Sequence, residues 1–158
     1  MNQNKEKYLY MKKLILSFIM SVLCLSISAQ ENLNITPLFE NLTKYDNDAT
    51  CIWVDGNELR KYKLTLYRSV ATKNNQAISH IEKAVIADSK KAADKEMGFI
   101  GSRLYFAFLS LPSETVGQNF RRFIFYRNKG LKNGSNKEAT LVYMEGKVTM
   151  REIKKLFK

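Results

Sequence analysis

The sequence predicts an α+β fold: a single domain built on a mostly antiparallel sheet of about five strands, with one long helix and short N- and C-terminal helices. Three observations carry that expectation. Five segments are rich in β-branched and aromatic residues at strand length. One long stretch, from about residue 76 to 96, repeats its apolar residues at helical spacing. The strands fall in consecutive runs without intervening helices, which favours antiparallel pairing with helices gathered on one face or at the edges.

The elements follow in the order α-β-β-α-β-β-β-α. Thr36-Pro37 reads as a helix start, with threonine as the cap and proline in the first turn, where its missing N–H costs nothing. Leu38, Phe39, Leu42 and Tyr45 give this helix an apolar side, and Asp46-Asn47-Asp48 ends it. Residues 49–55 (Ala-Thr-Cys-Ile-Trp-Val-Asp) form the first strand, closed by the turn pair Asp55-Gly56. In the second, residues 62–70, Tyr62, Leu64, Leu66 and Val70 share one face with Arg68, while Lys63, Thr65, Tyr67 and Ser69 take the other. Ala77, Ile78, Ile81, Ala84, Val85 and Ala92 make the stripe of the long helix, and Gly98 stands where a left-handed helix end is expected.

Residues 99–111 and 120–126, dense in Phe, Tyr and Leu, are the next two strands. A polar loop containing Gly130 and Asn133-Gly134 leads to the last, residues 138–145. Thr149-Met150-Arg151-Glu152 is a capping box, in which threonine and glutamate satisfy each other's free backbone donors. Ile153, Leu156 and Phe157 are the inward side of the terminal helix, and Lys154, Lys155 and Lys158 suit its C-terminal dipole.

Residues 1–29 read as an export signal. Lys12 and Lys13 precede an uncharged run from Leu14 to Ile27, which closes on the small residues Ser28-Ala29. That run is 14 residues long, short of the roughly 20 needed to cross a bilayer as a helix. Cleavage after Ala29 leaves residues 30–158 as the mature domain, and Met11 fits such a signal better as a start than Met1 does. Of the 26 Lys and Arg, 22 lie in 30–158, against 14 of the 15 Asp and Glu, so the mature charge is +8. Cys24 leaves with the signal and Cys51 stands alone, so no intramolecular disulfide is available; the thiol is either buried in the core or open to another chain.

Catalytic material is thin. His80 is the one histidine, at the edge of the helical stripe, and Cys51 is the one mature thiol it could activate. Cys51 lies in what reads as a core strand, where a free cysteine behaves as a small hydrophobe. Clustered metal ligands are lacking, as are a glycine-rich phosphate loop and a Gly-x-Ser-x-Gly elbow, so no catalytic residue, metal site or cofactor is expected. Asp88, inside the apolar stripe, reads as solvated beside Lys91 in preference to a buried carboxylate.

Positive charge is the remaining signal. Arg60, Lys61 and Lys63, then Arg121 and Arg122, then Arg127 and Lys129 alternate with Tyr62, Phe120, Phe123 and Tyr126. Such a basic face attracts polyanions. Export argues against nucleic acid and for an envelope protein or an anionic surface.

The segment Ala139-Thr140-Leu141-Val142-Tyr143-Met144-Glu145-Gly146-Lys147-Val148, with the helix after it and a leader ending Ala29-Gln30, resembles small exported Bacteroidetes proteins of domain-of-unknown-function families. The resemblance implies an uncharacterised periplasmic or secreted domain and supplies no active-site residues. The expected role is non-enzymatic binding. The alternatives are a small hydrolase or lipid-handling enzyme assembled from distant residues such as His80, Asp88 and Arg103, and a homo-oligomer joined through aromatics such as Tyr67 and Tyr105.

Overall fold

The computed structural model describes residues 33–112, 120–134 and 137–156, apart from the side chains of Thr43, Asn133 and Leu156. The predicted export signal and the inward packing of Leu156 and Phe157 lie outside what is described. A six-stranded, wholly antiparallel open sheet organises these residues, in the order β1-β2-β6-β5-β4-β3. Its strands are β1 Thr50–Asp55, β2 Leu64–Thr72, β3 Asp94–Ile100, β4 Arg103–Leu111, β5 Arg121–Asn128 and β6 Ala139–Gly146. The helices are α1 Thr36–Asn41, α2 Asn75–Asp88, the single turn α3 Gly130–Asn133, and α4 Met150–Leu156. The chain is thus α+β and antiparallel as expected, with one strand more than the sequence suggested.

Alternation of side chains across the sheet gives it two packed faces. On the first, Val70, Ala107, Leu109, Ile124, Tyr126, Leu141 and Tyr143 meet Ala77, Ile78, Ile81 and Val85 of α2, together with Ile35, Leu38 and Leu42 around α1. On the second, Phe108, Phe123, Val142 and Met144 meet Leu59, Val148, Met150 and Ile153. Leu59 comes from a 3-10 segment, Gly56–Tyr62, that joins β1 to β2. Helices therefore cover both faces, where the sequence had suggested one face or the edges.

The extra strand comes from the predicted long helix. α2 is capped by Asn74, whose side-chain oxygen accepts from the N–H groups of Gln76 and Ala77. It runs 14 residues to Asp88, then tightens into a 3-10 turn, Ser89–Lys91. Asp94 onward is β3. Its opening Asp-Lys-Glu conceals a strand, because all three are exposed on an edge. Gly98, expected to end a helix, instead lies opposite Phe106, whose ring occupies the space any β-carbon would need. The predicted strand over 99–111 is likewise divided by a turn at Gly101, which has φ +59°, and β4 follows.

Two further local readings change. A bulge between Leu64 and Leu66 sends Leu64 to the second core and Leu66 to the first. Tyr67, assigned above to a polar face, packs against the second core. By composition β1 reads as a core strand; it is an outer strand whose only half-buried residue is Val54, and Cys51 is exposed. The composition of a strand does not reveal whether a neighbour covers it.

Thr149 caps α4 as predicted. Its N–H and hydroxyl donate to Glu152 Oε2 at 2.8 Å each, and the Glu152 N–H returns to Thr149 Oγ1 at 3.3 Å. Ile153 is fully buried beneath it.

Candidate functional site

Register brings part of the predicted basic set together. Gly146, the last residue of β6, lies between Leu64 of β2 and Arg121 of β5. The Lys147 N–H donates to the Lys63 carbonyl at 2.9 Å. A β-carbon at Gly146 would collide with that carbonyl, so glycine permits the close approach. Lys63 itself has φ 59°, the left-handed residue that ends the 3-10 segment carrying Arg60 and Lys61. One end of the sheet therefore carries Arg60, Lys61, Lys63, Arg121 and Lys147, all exposed.

Of these, Lys63 is committed. Its Nζ lies 2.6 Å from Glu152 Oε1. Bonding to that ammonium, then to the Thr149 N–H and hydroxyl, holds the Glu152 carboxyl down to about 2. The ion pairs formed among the described residues leave Arg60, Lys61, Arg121 and Lys147 unengaged. Lys61 Nζ lies 5.0 Å from the ring centre of its exposed neighbour Tyr62.

The rest of the predicted set lies elsewhere. Arg122 points to the first face, where its Nη2 donates to the Pro112 carbonyl at 3.1 Å. Beside it the Tyr143 hydroxyl donates to Glu145 Oε1 at 2.6 Å. Burial, reinforced by that carboxylate, raises the Tyr143 phenol, and Arg122 opposes the shift. Arg127 is six residues from Arg121 along β5, about 20 Å in an extended strand. It is exposed at the far end, where Lys129 pairs with Glu138 at 3.9 Å. The seven cations do not form one face.

That far end also holds an open cleft of about 500 Å³, lined in part by Asp46, Asp48, Thr72, Lys73, Asn74 and Glu138. Asp46 is occupied there: the Thr72 hydroxyl donates to one of its oxygens and the Asp48 N–H to the other, at 3.0 Å. Among the described residues no group of three His, Cys, Asp or Glu side chains could hold a metal ion.

His80, Asp88 and Arg103 each have their own partners. The His80 ring stacks on Tyr45 with centres 4.5 Å apart. Asp88 is fully buried, which corrects the expectation of a solvated carboxylate. Its Oδ1 accepts from the N–H and side-chain amide of Asn34 at 2.9 and 2.7 Å, and its Oδ2 from the Ile35 N–H at 3.1 Å. Ile35, not Thr36, is the N-cap of α1 and has no side-chain cap of its own. Asp88, the last residue of α2, instead ties down the two residues just ahead of α1; its charge opposes the α2 dipole, and three donors offset it.

Arg103 forms a fork with Glu82. Its Nε lies 2.7 Å from Oε2 and its Nη2 2.9 Å from Oε1. The Tyr126 hydroxyl and the Asn128 amide also donate to Oε1, at 3.1 and 3.2 Å. The hydrogen bond to Glu82 raises the Arg103 guanidinium above its ordinary value, while burial and then the Glu82 charge raise the Tyr126 phenol. Sequence reading passed over Glu82, because a lone glutamate on a helix reads as solvated and its partners are 21, 44 and 46 residues away. It passed over Lys147 too. The signal for Lys147 was the antiparallel closure of β6 on β2 and β5, which places the β6 end beside Lys63 and Arg121.

A family model described as a family of unknown function, DUF6108, matches residues 22–157. The chain belongs to that family. No curated protein and no solved structure matches it. What is described of this DUF6108 chain contains no helix long and apolar enough to cross a membrane.

Proposed function

We propose that this chain is an exported, non-enzymatic binding domain that docks on an anionic surface or acidic partner of the cell envelope through the basic end of its sheet. The observation that carries the reading is the convergence of Arg60, Lys61, Arg121 and Lys147 from three segments, all exposed and in no ion pair among the described residues. Export is supported by the leader pattern of residues 1–29, and the address by its resemblance to exported Bacteroidetes proteins. The charge of +8 over residues 30–158 points the same way. At about 1 kcal/mol for each Lys or Arg brought to an anionic surface, four cations supply about 4 kcal/mol, reduced as salt shortens the range of the field.

The test is co-sedimentation with vesicles containing phosphatidylglycerol, with neutral vesicles and an anionic glycan matrix in parallel. Binding to the anionic materials should fall steeply with salt and be lost in Arg60→Glu/Lys61→Glu/Arg121→Glu. Arg127→Glu, at the other end, should bind normally. Salt-insensitive binding, or none to either anionic material, would remove the charge reading. Export is tested by mass spectrometry of the natural product, which should begin at Gln30; Met1 retained in a cytosolic fraction would overturn it.

A further inference from the structure

The two outer strands of the sheet are built differently. β3 opens with Asp94, Lys95 and Glu96, bulges between Gly98 and Phe99, and has Lys154 of α4 bonded to Glu96. Charge and a bulge are the devices that keep a sheet edge from pairing with another chain. β1 has neither. Its six residues are Thr-Cys-Ile-Trp-Val-Asp, in unbroken register with β2. Its one charge is Asp55, at the end. Ile52 and Trp53, pointing to opposite faces, are 49% and 57% exposed. The hydrogen bonds among the described residues outside the sheet ladders do not reach residues 50–55, so the outward N–H and C=O groups of β1 have no protein partner there.

We infer that β1 is a self-pairing edge, on which a second copy of this chain adds its own β1 antiparallel about a two-fold axis, joining two sheets into one of twelve strands. Backbone groups in a row admit a strand as their complement, and the side chains favour this one. Directly opposed residues in an antiparallel pair point to the same face, so only registers pairing residues of like parity are open. The register centred on Ile52 sets Ile52 against its copy, Trp53 against Cys51, and Val54 against Thr50. Both large exposed apolar side chains are then covered. Asp55 falls opposite Ala49, beyond the paired residues. A register centred on Trp53 would instead set Asp55 against Cys51, burying a carboxylate beside a thiol. Arg68, which lies over the Trp53 ring at 3.6 Å, does not obstruct the pairing. The two copies of Arg68 stand three strand spacings apart, about 14 Å, beyond the screening length at physiological salt. An isologous edge repeats each contact twice. The paired area is small, so the dimer is weak and concentration-dependent.

Sedimentation equilibrium on the protein, purified in the form its cells hold, should show a monomer–dimer equilibrium. Ile52→Lys places two like charges face to face and should weaken the dimer about tenfold or more. Phe99→Lys, an equally exposed change on the β3 side, should leave it unchanged. A short bis-maleimide should join Cys51 to its copy, since in this register their α-carbons are offset by about 7 Å along the strands and about 5 Å across them. Cross-linking should vanish in Ile52→Lys. A monomer at every concentration up to about 1 mM would overturn the inference and leave the edge to a strand of another protein. So would a dimer indifferent to Ile52→Lys, or one that Phe99→Lys weakens as much.

Discussion

Glu82→Leu should be among the most damaging single substitutions in this domain, and the reason lies in what it leaves behind. The carboxylate is buried and receives four hydrogen bonds from three residues. Arg103 can turn to water, because its side chain is 45% exposed. Tyr126 and Asn128 cannot; both are buried, and each would keep a donor without an acceptor. An orphaned buried polar group costs about 1–3 kcal/mol, so two of them cost about 4 kcal/mol. That is a large share of the 5–15 kcal/mol by which domains are stable, and corresponds to a fall in Tm of about 15 °C at this chain length. Tyr126→Phe removes a donor and leaves Glu82 three bonds, so it should cost only about 1 kcal/mol. The double variant should cost less than the two single changes together, since Glu82→Leu no longer orphans the hydroxyl. Urea unfolding followed by far-ultraviolet circular dichroism reads all three. A Glu82→Leu cost below about 1 kcal/mol, or strict additivity with Tyr126→Phe, would refute the account of this carboxylate as a buried acceptor hub.

Asp88→Ala should release the segment it anchors through Asn34 and Ile35. Amide exchange at residues 34–42 should quicken well beyond that of β5 and β6, and equal protection in variant and parent would sink the anchoring role. The Glu152 carboxyl, ordinarily near 4.5 and held at about 2, contributes stability that is complete above pH 4.5 and lost as pH falls through about 2. Acid titration of α4 should therefore show a step in that window, absent in Glu152→Gln; identical profiles would refute the linkage. Gly146→Val should destabilise the domain because its side chain meets the Lys63 carbonyl. It should also disturb anion binding, by moving Lys63 and Lys147 apart; a variant of normal Tm and normal salt-dependent binding would contradict that geometry.

Local chemistry was legible where it is self-contained. The Thr149–Glu152 capping box, the α2 stripe and the strands rich in Phe and Tyr depend on residues a few positions apart. What was missed depends on neighbours distant in the chain. Asp94-Lys95-Glu96 reads as the continuation of a helix because an edge strand needs no apolar alternation on its open side. Cys51 reads as core because Thr-Cys-Ile-Trp-Val is core composition, whereas its exposure follows from strand order. Asp88 reads as solvated until Asn34 and Ile35 are known to donate to it. The basic residues were visible as charges, but their division between two ends of β5 is a matter of register.

The single tryptophan of the sequence stands at the rim under a guanidinium and not in the interior. Its fluorescence is therefore a gauge of the outermost ribbon alone. A melting curve recorded from indole emission would describe fraying of that ribbon, and would understate how firmly the middle of the molecule holds.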